Sequence, residues 1–309
     1  MTSFVSKTTL GVSNSVLIHE AFQQGITRSF EYFPPKTEEE AAALTQTISE
    51  LHAVAPSFVS VTYHRGSPES RQRTYDLVCA IEAQGTAAMA HVICVGHRRS
   101  EMEAILGSYL TAGVQNLMAL GGDPSNDPDS DASDFTYAIE LVELARDMGT
   151  FSIGVGAHPD GHPRSSSLAE DRRRLAEKLT AADFAVTQFF FETSQWTNLV
   201  ADLGALDVTK PVLPGIMPVT TMTGISRMAQ MGAAVPPALV ARLEAAHAAG
   251  GPSAVRAAGI AAATELCEEL LDAGAPGIHF YTLNRSTATR EIYDALFDDD
   301  GYRRTGVTA

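Results

Sequence analysis

The chain has 309 residues, 45 % of them apolar, and carries 37 acidic against 22 basic side chains, a formal charge of −15. That length suits one large domain, and the apolar share provides for a large core. A surface this acidic repels nucleic acid and anionic lipid, so neither is expected as a partner. Cys79, Cys94 and Cys267 are far apart and form no CxxC, which reads as free thiols in a reducing compartment. The N-terminus has no apolar h-region and no apolar run reaches the ~18 residues of a membrane span, so a cytoplasmic protein is expected.

Eight short runs rich in Val, Ile, Phe and Tyr read as strands: Ser29–Phe33, Phe58–Tyr63, Ala88–Val95, Asn116–Leu120, Phe151–Ala157, Phe184–Phe191, Val212–Met217 and Gly277–Thr282. Most are continuously apolar, the pattern of strands covered on both faces. Helical patterns fill the gaps. Thr37 with Glu40 and Ser100 with Glu103 form capping boxes ahead of apolar stripes. Further helices fit Ser67–Ala83, Ser133–Met148, Leu168–Ala182, Thr193–Ala205, Ser253–Ala273 and Ser286–Leu296.

Strands alternating with helices predict an α/β fold, a (β/α)8 TIM barrel, over residues 26–297. Residues 1–25 read as an N-terminal arm or short helix, and 298–309 as a frayed acidic tail. The interval from Val219 to Pro276 holds enough chain for two helices and a loop, hence an extra helix between the last two strands. No GxGxxG follows a strand, which argues against a Rossmann dinucleotide site.

Barrel sites lie at the carboxyl ends of strands. Three polar residues interrupt the apolar runs there. Glu31, in Ser-Phe-Glu-Tyr-Phe-Pro-Pro, faces opposite to Phe30 and Tyr32 and so points into the barrel. A carboxylate there is costly unless it is paired or functional. Asp123 follows two glycines that admit a ligand close to the backbone, although an Asx turn before Pro124 explains it equally well. Gln188 needs a hydrogen-bond partner, either a ligand or a buried backbone group. Thr62, Tyr63, His64 and His91 sit at the same end. So do His158 and His162, whose flanking prolines forbid the helix that would make them a metal pair, and no metal is expected. Arg172, Arg173 and Arg174 read as a solvated helix face.

Eight segments in register, FEYFPPKT, FVSVTYHRG, AHVICV, NLMALGGDP, HPDGHP, TQFFFE, PGIMPV and HFYTLNR, closely resemble the methylenetetrahydrofolate reductase family. The resemblance covers about residues 28–290. It implies a (β/α)8 barrel that reduces 5,10-methylenetetrahydrofolate to 5-methyltetrahydrofolate. It assigns Glu31 as general acid and Asp123 as the carboxylate opposite the developing cation. It places Gln188, Arg285 and Tyr281 against the folate, and Thr62, His91, Gly122, His158, His162, Asp171, Lys178 and Met222 at the cofactor.

Relatives relay hydride from NAD(P)H through FAD. Here the flavin-facing positions depart from the family: Gly121 stands for an arginine, His158 for a tyrosine, Glu177-Lys178 for an Arg-Lys pair, Arg174 for an asparagine and Met222 for a phenylalanine. Replacing a phosphate-binding cation with Glu177 sets like charges against each other. The expectation is therefore a reduced folate and a nicotinamide dinucleotide, NADH or NADPH, as partners, with hydride passed directly and FAD weakly bound or absent. The same reaction through bound FAD, a folate-binding barrel without catalysis, and glycoside hydrolysis by the two carboxyls are the competing readings. The last fits poorly with a single tryptophan, Trp196.

Overall fold

The computed structural model describes residues 16–63, 68–122, 133–298, 301, 303 and 304. Asp123 and His64 lie outside the described residues. The strands are β1 (Thr27–Tyr32), β2 (Phe58–Val61), β3 (Ala88–Ile93), β4 (Asn116–Leu120), β5 (Ser152–Ala157), β6 (Phe184–Thr187), β7 (Val212–Leu213), β8 (Gly215–Ile216) and β9 (Gly277–Tyr281). Between them run α1 (Ile18–Gln24), α2 (Glu38–His52), α3 (Pro68–Glu82), α4 (Arg99–Thr111), α5 (Ala138–Met148), α6 (Leu168–Ala181), α7 (Thr193–Gly204), α8 (Met222–Gln230), α9 (Pro237–Asp272) and α10 (Thr287–Leu296).

All strand pairings are parallel, in the order β7-β6-β5-β4-β3-β2-β1-β9-β8. The run read as one strand, Val212–Met217, is split in two by Pro214. A proline has no N–H for the ladder. Its first half pairs with β6 and its second with β9, and the Pro214 carbonyl accepts from His279 N at 2.9 Å. The broken strand thus closes the barrel, a TIM-barrel fold.

Alternation along β1 decides which side chains enter the barrel. Phe30 and Tyr32 pack outward into the main core between sheet and helices, with Val59, Val61, Leu106 and Phe280. A smaller inner cluster, Phe58, Met89, Met118, Phe184 and Leu213, is joined by Ile18 of α1. This helix ties to the N-terminal ends of the strands: Ile18 N donates to Asn116 Oδ1 at 2.9 Å and His19 N to Ser152 Oγ at 3.0 Å.

Several boundaries differ from expectation, each for a local reason. The Ser100–Glu103 box is not used. Glu101 accepts from Arg98 N, and Asp134 accepts from Arg99 N at 2.9 Å, so a distant carboxylate caps α4. Ser133 folds into a turn with Phe135, which delays α5 to Ala138. The interval after Val219 holds three helical segments rather than two, because α9 is broken at Gly250 and Gly251. Of the tail expected to fray, Gly301 accepts from Arg28 and Arg303 pairs with Asp272 at 2.8 Å.

Candidate active site

Glu31 is 6 % exposed and lies inside the barrel. Its Oε2 is 3.5 Å from His91 Nε2 and 4.0 Å from His279 Nε2. His279, on the neighbouring strand, is held by Ser29 Oγ at 2.8 Å from Nδ1 and by Ser60 Oγ at 3.4 Å from Nε2, and it stacks on Phe58. The result is a buried polar layer of two serines, two imidazoles and one carboxyl. Burial holds the His91 imidazole below its usual range, against the opposing pull of Glu31, so the ring is neutral.

The sequence reading missed Ser29 and His279. The signal was present: Ser29 shares the inward face with Glu31 by the period of two, and His279 interrupts an apolar strand.

At the mouth, Tyr281 donates its hydroxyl to Thr187 O at 2.6 Å and sets its ring edge-on to His279. Burial, and then the Glu31 carboxylate, push this phenol far above its ordinary range, so it remains a donor. The bond also takes the Thr187 carbonyl, and β6 ends there. Gln188 therefore stands one residue past the strand rather than within it. Its Nε2 donates to Met231 O at 3.3 Å and its Oε1 accepts from Phe189 N at 3.1 Å. Met222 opens α8 and packs into the apolar cluster that includes Phe189 and Tyr281, which puts it on the Gln188 side of the mouth.

Arg285 is exposed on the turn after β9. That turn is fixed by Asn284, which has φ +57 and brackets Phe33: Nδ2 donates to Phe33 O at 2.9 Å and Oδ1 accepts from Phe33 N at 2.8 Å. Thr282 Oγ1 donates to Glu31 O at 2.6 Å. Thr62 continues the ladder after β2, its N donating to Tyr32 O at 2.9 Å.

A second group gathers where β4, β5 and α6 meet. The rings of His158 and His162 stand edge to face, 4.6 Å apart. Burial, with the neighbouring His162 second, holds His158 down at about 4. Asp171 accepts from His162 N at 3.0 Å and from Arg172 at 3.2 Å. Lys178 donates to Gly156 O at 3.0 Å, and burial lowers its pKa. Gly122 has φ +88, and a Cβ there would meet Ile93 at 2.3 Å, so only glycine fits.

The arginine run is not a uniformly solvated face. Arg172 is 4 % exposed and spans Asp171, Asp202 and the carbonyls of His158 and Pro159. Arg173 and Arg174 turn outward to Glu170, and Glu177 pairs with Arg174 on that outer side.

A parallel barrel with an acid buried at the carboxyl ends of its strands defines a (β/α)8 enzyme. Residues 17–297 match the model of the methylenetetrahydrofolate reductase family. The chain is 32 % identical to 5,10-methylenetetrahydrofolate reductase of Pectobacterium carotovorum, covering 89 % of this chain and 91 % of that one. The Escherichia coli enzyme of the same name is 31 % identical with similar coverage. A rice protein named probable methylenetetrahydrofolate reductase (NADH) is 32 % identical, matched over 48 % of its length. In fold, the chain superposes with a TM-score of 0.63 and 12 % identity on a Clostridium thermocellum protein described as binding two copies of 5-methyltetrahydrofolic acid. This chain belongs to the methylenetetrahydrofolate reductase family.

Proposed function

We propose that this chain reduces 5,10-methylenetetrahydrofolate to 5-methyltetrahydrofolate with hydride passed directly from NADH or NADPH, without a flavin. The observation that carries the reaction is the Glu31 carboxyl, enclosed with His91 and His279 inside the barrel.

The five-membered ring of the substrate must open to an N5 iminium cation. Glu31 gives its proton to N10 as the N10–methylene bond breaks, an assistance worth typically ~10²–10⁴-fold. Asp123 is the carboxylate assigned to stabilise the cation electrostatically. Hydride from the dihydronicotinamide adds to the methylene carbon, leaving the methyl product and oxidised nucleotide. Gln188, Tyr281 and Arg285 form the folate side of the mouth. Thr62, His91, Gly122, His158, His162, Asp171 and Lys178 form the nucleotide side. Met222 is assigned to the boundary between the two.

FAD is the group the family implies, and the residues at the β5–α6 corner do not fit a resident flavin pyrophosphate. Arg172 is consumed by two carboxylates and two carbonyls, Arg173 and Arg174 by Glu170, and Lys178 by Gly156 O. Breaking the Arg172 pairs would leave buried charge uncompensated, and Arg173 and Arg174 point outward, away from the corner. Two measurements test the reading: the visible spectrum of the purified protein, and methylenetetrahydrofolate-dependent oxidation of NADH. A spectrum without flavin together with folate-dependent turnover is expected. A stoichiometric flavin spectrum overturns direct transfer, and absence of turnover overturns the reaction.

A further inference from the structure

Resting on the reading that a nicotinamide dinucleotide binds without a flavin, we infer that Arg164 is the cation that receives its pyrophosphate. Arg164 lies in the loop between β5 and α6 and is exposed. Its guanidinium Nη2 donates to Gly122 O at 3.0 Å, across the gap between the ends of β4 and β5. Its own N–H donates to His162 Nδ1 at 3.1 Å.

The argument is one of elimination at this corner. A chain with a formal charge of −15 must draw in a ligand bearing two phosphate charges, so a local cation is required. Arg172, Arg173 and Arg174 are committed as described, and Lys178, held like Arg164 by one carbonyl, differs in being largely enclosed on α6 rather than exposed on the loop. Among the described residues, Arg164 makes no ion pair, and only a carbonyl holds it. The N-terminus of α6 is no alternative. Ser167 caps it, and Glu170 and Asp171 occupy its first turn, which repels an anion.

What flanks Arg164 also suits the ligand. His158 and His162 present an edge-to-face ring pair, and His158 is neutral at physiological pH, so its ring offers a surface without adding charge. A single exposed guanidinium matches a co-substrate that must leave each turnover. It binds in high dielectric and is weakened by salt, unlike the buried cations a resident cofactor needs.

The test separates charge from scaffolding. Arg164→Gln keeps an amide donor for Gly122 O and loses the charge, whereas Arg164→Lys keeps the charge and loses the planar fork. Steady-state kinetics with NADH and with NADPH should show KM for both nucleotides raised about fivefold or more in Arg164→Gln. Arg164→Lys should recover part of that loss. KM for the folate and kcat should stay within about twofold. KM for NADH should rise with ionic strength in the wild type, and this slope should flatten in Arg164→Gln.

An unchanged nucleotide KM overturns the assignment. So does a loss confined to kcat, which would make Arg164 a prop for the β4 loop. A rise confined to NADPH overturns the pyrophosphate in favour of the 2′-phosphate. The readings fail separately: a flavin spectrum in the wild type overturns direct transfer, while the KM comparison decides Arg164.

Discussion

The Glu31 carboxyl lies 3.5 Å from Nε2 of His91, a neutral ring with no hydrogen-bond partner for that atom. The carboxyl thus faces two imidazoles, and no lysine or arginine among the described residues pairs with it. Glu31→Gln keeps shape and packing while removing the transferable proton. Its kcat for folate-dependent NADH oxidation should fall ~10²–10⁴-fold. KM for the folate should change only a few-fold, with an unaltered thermal midpoint. Retained turnover would remove Glu31 from the chemistry.

His279 supports that carboxyl from the adjacent strand. His279→Ala strips a ring partner from Ser29 and Ser60 in a buried layer, and should cost roughly 1–3 kcal/mol in denaturant unfolding. It should also lower kcat, by less than Glu31→Gln. Because His279 acts through Glu31, the double variant should be no slower than Glu31→Gln alone. Additive losses would mean that the two act independently.

The barrel and the inward Glu31 were legible in the sequence, because strand alternation alone sends Glu31 inward and Phe30 and Tyr32 outward, whereas Ser29, Ser60 and His279 of the same layer were not singled out. What was not legible came from contacts between distant segments. The split of the closing strand depends on Pro214 facing two different neighbours, and the end of β6 depends on the Tyr281 hydroxyl 94 residues away. The three arginines of α6 look alike in sequence. Only packing shows that Arg172 is buried against Asp202 while its neighbours face water.

The shifted His158 has a consequence for stability. In the unfolded chain imidazole titrates near 6.5, whereas in the folded protein burial holds His158 at about 4. Between those values the unfolded chain takes up a proton that the folded chain refuses. The contribution is therefore complete above about pH 6.5 and is lost as the pH falls towards 4. The loss amounts to about 2 kcal/mol by pH 5. Lower pH also relieves acidic self-repulsion, so the comparison must be differential. Denaturant unfolding at pH 7.5 and pH 5 should show a smaller acid loss in His158→Asn than in the wild type. Equal losses would show that His158 titrates normally.

Gly259 of α9 rests on the backbone before α8. A Cβ at this position would lie 1.9 Å from Val219 O, so neither chain can yield without moving the helix or the loop. Gly259→Ala should destabilise the protein by ~1–3 kcal/mol or more, read as a lowered thermal midpoint. Val219 belongs to the apolar cluster behind Tyr281 and Met222, so the folate KM should rise as well. A neutral substitution would show that α9 can slide outward at no cost.

Gln188 follows β6, beside β5, its N donating to Ala157 O at 2.8 Å, whereas Arg164 reaches the other way, to Gly122 after β4. Its amide is satisfied at both ends before any ligand arrives, by Met231 O and Phe189 N. Folate must take over at least one of these bonds, so the net gain is that of an exchanged hydrogen bond rather than a new one. Gln188→Ala should therefore raise KM for the folate only about three- to tenfold. Nucleotide KM should not move, because the amide turns to Met231 O after α8, whereas Arg164 turns to Gly122 O after β4. Gln188→Glu should do more harm than alanine, because a carboxylate cannot donate to Met231 O and repels it. Measuring both KM values in Gln188→Glu and Arg164→Gln should give mirror-image results, one affecting folate alone and the other nucleotide alone. A variant that moved both would place the two ligands in one shared pocket rather than against separate groups of the barrel mouth.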